Sequence, residues 1–214
     1  MTAADPRITR PYCNCSCLHY CCSLTHVDAR QQRLLDAAIA VLGTRGPRHL
    51  THRAVDDQAE LPTGSTSNRY RTREALIAGV LTRILDLETT GWNHLAGTLD
   101  HIDPTTFTTA LGTLVHDLST THRALTLARL AIFAEAAHHP ALQHQIGRRQ
   151  HDLAAWATPL LAALGARHPG TALRLLLALI DGLLNNQLAN PDPDFDPTAA
   201  IAAILPAVLD AHPA

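Results

Sequence analysis

Residues 51–73 read THRAVDDQAELPTGSTSNRYRTR, and their types are those that bind nucleic acid. Ser65, Thr66 and Ser67 carry hydroxyls that hydrogen-bond base edges or phosphate. Asn68 has the donor and acceptor that fit adenine, and Arg69 the fork that fits guanine or phosphate. Thr51 is placed to cap a short helix by accepting from a free backbone N–H near Ala54. The start of that helix, with its loose N–H groups and positive dipole end, is a seat for phosphate. In the turn Leu61-Pro62-Thr63-Gly64, Leu61 plugs the core, Pro62 fixes φ and Gly64 permits close backbone approach. The DNA-facing set read here is Thr51, Arg53, Thr63, Gly64, Ser65, Thr66, Ser67, Asn68, Arg69 and Arg73. Arg53 has a second reading, as the partner of an acid on its own helix.

These residues need two short helices joined at a fixed angle, with the second free to enter a major groove. That is a helix-turn-helix. The charge distribution suits it. The chain of 214 residues has a net charge of −2, yet residues 28–75 hold eight Arg against six acids and residues 76–214 hold seven against twelve. The basic end therefore carries the reader, as phosphate attraction favours. There is no Lys, so every fixed positive side chain is a guanidinium.

Composition predicts an all-α fold. Ala and Leu dominate, aromatics are 4% of residues, and no stretch alternates apolar and polar residues as a strand would. From Asp28, which can cap the start, Leu34, Leu35, Ala38, Ile39, Val41 and Leu42 form a helical stripe that ends at Gly46-Pro47. Thr72 caps a long helix from Arg73 to about Leu99. Further helices are predicted from Pro104 to Leu118, from His122 to His138, and from Ala141 to Leu164 with Pro159 as a kink. Two more carry the strongest apolar signal, Leu173 to Leu188 and, after a Pro/Asp loop, Pro197 to Leu209. The first of these is apolar nearly all round and must be covered on two sides. Trp92, Phe107, His116, Phe133, His151 and Trp156 can line a ligand pocket, although such residues are also ordinary core or surface.

In order and at the right spacing, six blocks of residues 30–85 resemble the DNA-binding domain of TetR-type transcriptional regulators. They are Leu34-Leu35-Asp36-Ala37-Ala38, Arg45-Gly46, Thr51-His52-Arg53-Ala54-Val55, Leu61 to Gly64, Ser65 to Tyr70, and Thr72-Arg73-Glu74-Ala75-Leu76. The resemblance implies an N-terminal three-helix DNA-binding domain (28–75) and a C-terminal helical ligand-binding and dimerisation domain (76–214). It implies that Thr51, Ser65, Ser67, Arg69 and Arg73 contact phosphate and that Tyr70 is core. The chain departs from the family where Ser67 replaces a common Tyr, Arg69 a His, Arg73 a Lys, and Glu60 a Gly. By the same resemblance the two last helices form a four-helix bundle with a second copy, here through Leu176, Ile180, Leu183, Leu184, Ile204 and Leu205. The implied function is a homodimeric repressor of a palindromic double-stranded DNA operator, released by an unknown small-molecule ligand. An activator or a constitutive binder is the alternative.

Five cysteines, Cys13, Cys15, Cys17, Cys21 and Cys22, crowd the first 27 residues with His19. That segment reads as a disordered tail, as a tail preceding a later start at Val27, or as a metal or redox sensor. Its spacing matches no structural zinc site. His138, His139 and His144 near Glu135 are the other His cluster, and no metal or cofactor is expected. No paired carboxylates, nucleophile–His set or phosphate loop supports an enzyme. No apolar run reaches membrane-spanning length and no secretory signal is present, so a cytoplasmic, nucleoid-associated location is expected.

Overall fold

The computed structural model describes residues 29–98 and 103–213, and over these it is built of helices alone. The Cys13–Cys22 cluster and Asp28 lie outside the described residues. The helices are α1 Ala29–Arg45, α2 His52–Gln58, α3 Ser65–Arg69, α4 Arg73–Thr98, α5 Pro104–Ser119, α6 Arg123–Ala136, α7 Pro140–Ala163, α8 Pro169–Ala189 and α9 Pro197–Leu209. None of the described helices is long and apolar enough to cross a membrane.

The local signals work as their chemistry dictates. The α1 stripe is buried from Leu34 to Leu42. The helix ends at Gly46, whose φ of 83° is left-handed, and its N–H closes onto the Leu42 carbonyl at 3.0 Å. Thr51 Oγ1 accepts from Ala54 N at 3.1 Å, and Thr72 Oγ1 accepts from Ala75 N at 3.1 Å. Asp103 and Asp196 cap α5 and α9, each followed by Pro at the first helical position.

Two apolar cores result. The first joins α1, α2 and α4 to Ala128, Ile132 and Ala136 of α6 and to Leu142 of α7. The second joins α5, α7, α8 and α9. The first core is therefore shared between both parts of the chain, because α1 packs directly on α6. The approach is so close that a Cβ at Gly43 would stand 1.9 Å from the carbonyl oxygen of Ala124. Only glycine fits there, and α1 and α6 are held backbone to backbone.

α4 is the spine between the two halves. Arg83 reaches Asp36 of α1 with two hydrogen bonds of 2.7 and 3.1 Å. Asp86 accepts from Arg149 of α7. Glu88 accepts from Arg129 of α6, whose other nitrogens reach Asp181 of α8 at 2.7 and 3.4 Å. The Arg129 guanidinium also lies over the Phe133 ring, 4.1 Å from its centroid. Burial pushes the Glu88 carboxyl above its ordinary range, with the Asp181 charge adding to this and Arg129 opposing it.

The apolar helix α8 packs one stripe inward. Leu176, Ile180, Leu184 and Leu205 are buried within the second core of the protomer. Leu183 is half-buried, and Ile204 keeps 39% of its surface exposed. Leu175, which the expected set omitted, is 43% exposed. A helix apolar on every side carries no phase in its sequence, so its inward stripe is chosen by the neighbours it meets.

Candidate nucleic-acid interface

The geometry of the reader rests on Asp56. α2 turns Val55 and Asp56 inward, and Asp56 is 1% exposed. Its Oδ2 accepts from Gly64 N at 2.8 Å, while its Oδ1 accepts from Thr66 N at 2.7 Å and from Thr66 Oγ1 at 2.5 Å. α3 begins at Gly64, which has no side chain to cap it and sits at φ 94°. The cap comes instead from the preceding helix, and the angle between α2 and α3 is fixed by three hydrogen bonds to one carboxylate. Burial pushes the Asp56 carboxyl up. The hydrogen bonds from the Thr66 hydroxyl, Thr66 N–H and Gly64 N–H, with the charge of His52, outweigh it and hold the carboxyl below its ordinary range. Asp56 lies outside the expected DNA-facing set. Its signal was an acid at the buried phase of a short helix, beside Val55.

The turn has one strained point. Glu60 has φ 53°, alone among the described non-glycine residues in being left-handed, at the position where the resembling family carries Gly. Leu61 N closes the turn onto Asp56 O at 3.0 Å.

Beyond the turn, Ser67, Asn68 and Arg69 project outward on α3, and Thr51, Arg53 and Thr63 are exposed beside them. Arg53 has no ion pair among the described residues, so an acid partner on its own helix is not used. Two residues of the expected DNA-facing set turn inward. Thr66 is fully buried, with its hydroxyl committed to Asp56, and cannot reach a groove. Ser65 is 9% exposed, donates to Pro62 O at 2.6 Å and accepts from Arg30 at 2.9 Å. The Gly64 N–H is likewise taken by Asp56. The start of a helix this short must turn one face into the core, and hydroxyl residues look alike in sequence whichever way they face. Arg73 is also redirected: its guanidinium donates to Leu50 O at 2.6 Å and Pro47 O at 3.0 Å, clamping the 3-10 turn that follows α1.

Tyr70 is buried at the end of α3, as an anchoring aromatic should be. Its ring fills the space over Gly79 of α4, where a Cβ would lie 2.7 Å from Cε1. Its hydroxyl accepts from Gln31 Nε2 at 3.0 Å, and Gln31 Oε1 accepts from Arg69 at 2.5 Å. Neither Gln31 nor Arg30 was identifiable from local pattern, because both lie more than thirty positions before the residues they bind.

The second half separates the residues expected to line a pocket. Trp92 and Trp156 meet with ring centroids 6.3 Å apart and tilted by 46°. Both pack against the core that holds Phe107. Phe133 lies under Arg129. His116 is exposed on α5 and joins none of them. His151 is exposed too and borders an open cleft of about 810 Å³ along α7, with Thr82, His144 and Arg148. Both histidines thus lie at the surface, where an imidazole serves as readily as in a core. His139 lies 3.7 Å from Glu135, and no group of three or more metal-ligating side chains forms among the described residues.

A family model described as the tetracyclin repressor-like C-terminal domain matches residues 103–211. No curated protein matches the chain. Among solved structures, the multidrug binding protein EbrR complexed with ethidium is 24% identical with a TM-score of 0.65, the match covering 86% of this chain and 99% of that one. A transcriptional regulator from Rhodococcus sp. Rha1 is 21% identical with a TM-score of 0.70, over 84% and 95% of the two chains. A TetR family member from Streptomyces coelicolor A3 is 24% identical with a TM-score of 0.63, over 86% and 100%.

Proposed function

Because this chain belongs to the tetracycline repressor-like (TetR) family of transcriptional regulators, we propose that it acts as a homodimeric repressor that grips a palindromic operator and lets go when a small molecule binds. The observation that carries the DNA-reading part is the Asp56 clamp. It holds α3 so that Ser67, Asn68 and Arg69 stand outward together on a helix whose other face is buried. A single five-residue helix reads too few bases for an operator, and two related by a two-fold axis read a palindrome. Support for the second copy comes from Leu175 and Ile204, the large apolar side chains left exposed on α8 and α9.

The ligand seat is proposed around Trp92, Trp156, Phe107 and Phe133. One guanidinium, over the Phe133 ring, faces two carboxylates, Glu88 and Asp181, and α4 carries Glu88 four positions before Trp92, which meets Trp156. A surplus of acid with aromatic faces favours a planar organic cation. EbrR, similar in fold, was crystallised with ethidium and with malachite green. α4 carries both Glu88 and the Tyr70-packed Gly79, so a shift of the seat is felt at the reader and changes the spacing of two copies.

The test has two arms. Selection from a pool of random duplexes is expected to enrich an inverted repeat, bound more weakly by Arg69→Ala and more weakly as salt rises. Failure to enrich any sequence would sink the regulator reading. In the absence of DNA, ethidium is expected to quench the fluorescence of Trp92 and Trp156, the two tryptophans of the chain, to a saturable limit. Linear, unsaturated quenching would remove the ligand seat.

A further inference from the structure

We infer that Gln31, near the start of α1, is a positioning residue that sets the conformer of Arg69 and through it the sequence selectivity of α3. This role rests on the DNA-reading function proposed for α3.

Arg69 is the one charged residue of α3, and it is exposed. A long exposed guanidinium on a five-residue helix would sample many rotamers, and a base contact would have to order it at binding. Here it is already held. Its Nη2 donates to Gln31 Oε1 at 2.5 Å. The orientation of the Gln31 amide follows from chemistry, because guanidinium nitrogens only donate and the carbonyl oxygen must face them. The amide nitrogen is thereby turned to Tyr70, whose hydroxyl accepts from it at 3.0 Å.

Tyr70 gives this chain of bonds a rigid root. It is 8% exposed, it terminates α3, and its ring rests on the bare Cα of Gly79 in α4. Arg69 is thus indexed to both α1 and α4 through a single amide. The bond to Gln31 engages one guanidinium nitrogen, so the remaining donors stay available to a base edge or a phosphate. Gln31 itself is half-buried. It is placed to support the reader from behind and need not touch DNA.

The experiment uses the full chain in four forms: wild type, Gln31→Met, Arg69→Ala and the double variant. Met keeps the length of Gln and removes its polar atoms. The measurement is the ratio of affinity for the selected operator to affinity for random duplex, together with the slope of affinity against salt. Gln31→Met is expected to lower the ratio about tenfold, with the salt slope unchanged because no charge is removed. In the Arg69→Ala background, Gln31→Met is expected to change nothing further. A ratio unchanged by Gln31→Met, or lowered equally in both backgrounds, overturns the inference and leaves the regulator reading standing. If wild type enriches no sequence, the reading it rests on fails and the inference falls with it.

Discussion

Asp56 holds Thr66 by both of its donors: the Thr66 backbone N–H and hydroxyl reach the same carboxylate oxygen at 2.7 and 2.5 Å. With the Gly64 N–H on the other oxygen, one buried side chain both starts α3 and sets its angle to α2. Asp56→Ala leaves three donors at the turn without their acceptor and is expected to cost about 3 kcal/mol. The pH dependence follows from the lowered carboxyl. A depressed carboxylate contributes stability that is whole above its unfolded pKa and is lost as pH falls through the folded one. Wild type should therefore lose stability at acid pH by a step that Asp56→Asn lacks, as denaturant melts across an acid pH series would show.

Glu60 is the place where the turn stores strain. A left-handed backbone costs an ordinary residue about 1–2 kcal/mol, and Gly takes it without a Cβ penalty. The ion pair that Glu60 makes with Arg33, at 3.6 Å with both side chains exposed, is of little worth. Glu60→Gly is expected to stabilise the chain by about 1 kcal/mol and to raise Tm by about 3 °C. A fall in Tm on circular-dichroism melting would show that φ at Glu60 is not strained.

Arg129 compensates Glu88 and Asp181 across three helices. Arg129→Met leaves two acids side by side at a partly buried site and is expected to cost about 2 kcal/mol at neutral pH, discounted for the exposure of Asp181. The Glu88 carboxyl already lies above its ordinary range and would rise further. A raised carboxyl binds more protons folded than unfolded, so stability increases as pH falls. The penalty of Arg129→Met should shrink between neutral pH and the ordinary carboxylate range. A penalty constant over that window would mean that packing on Phe133, and not charge, is what Arg129 supplies.

Leu175 and Ile204 test the second copy. Both are substantially exposed in the protomer, so replacing them with Glu should leave the protomer fold intact. The Leu175→Glu, Ile204→Glu variant is expected to sediment near 23.1 kDa where wild type sediments at twice that mass. The same substitution at Leu176 or Leu184 should instead unfold the chain, because those residues lie in its own core.

Sequence alone determined the helical class, the helix order, most boundaries, the caps at Thr51 and Thr72 and the helix start at Pro197. These depend on residues within a few positions of one another: stripe spacing, a hydroxyl three residues before an N–H, a Pro that can only begin a helix. Six local blocks were likewise enough to mark the reader. Tertiary structure decided which side chains the reader presents. Thr66 and Ser67 are neighbours of similar chemistry, and only the position of Asp56, ten residues back, turns the first inward and leaves the second free. Arg73 and Arg69 carry the same guanidinium. One meets the carbonyls of Pro47 and Leu50 and the other an amide on α1, through contacts that span more than twenty residues. The inward stripe of α8 was open for the same reason, since a helix apolar on every side takes its phase from what packs against it.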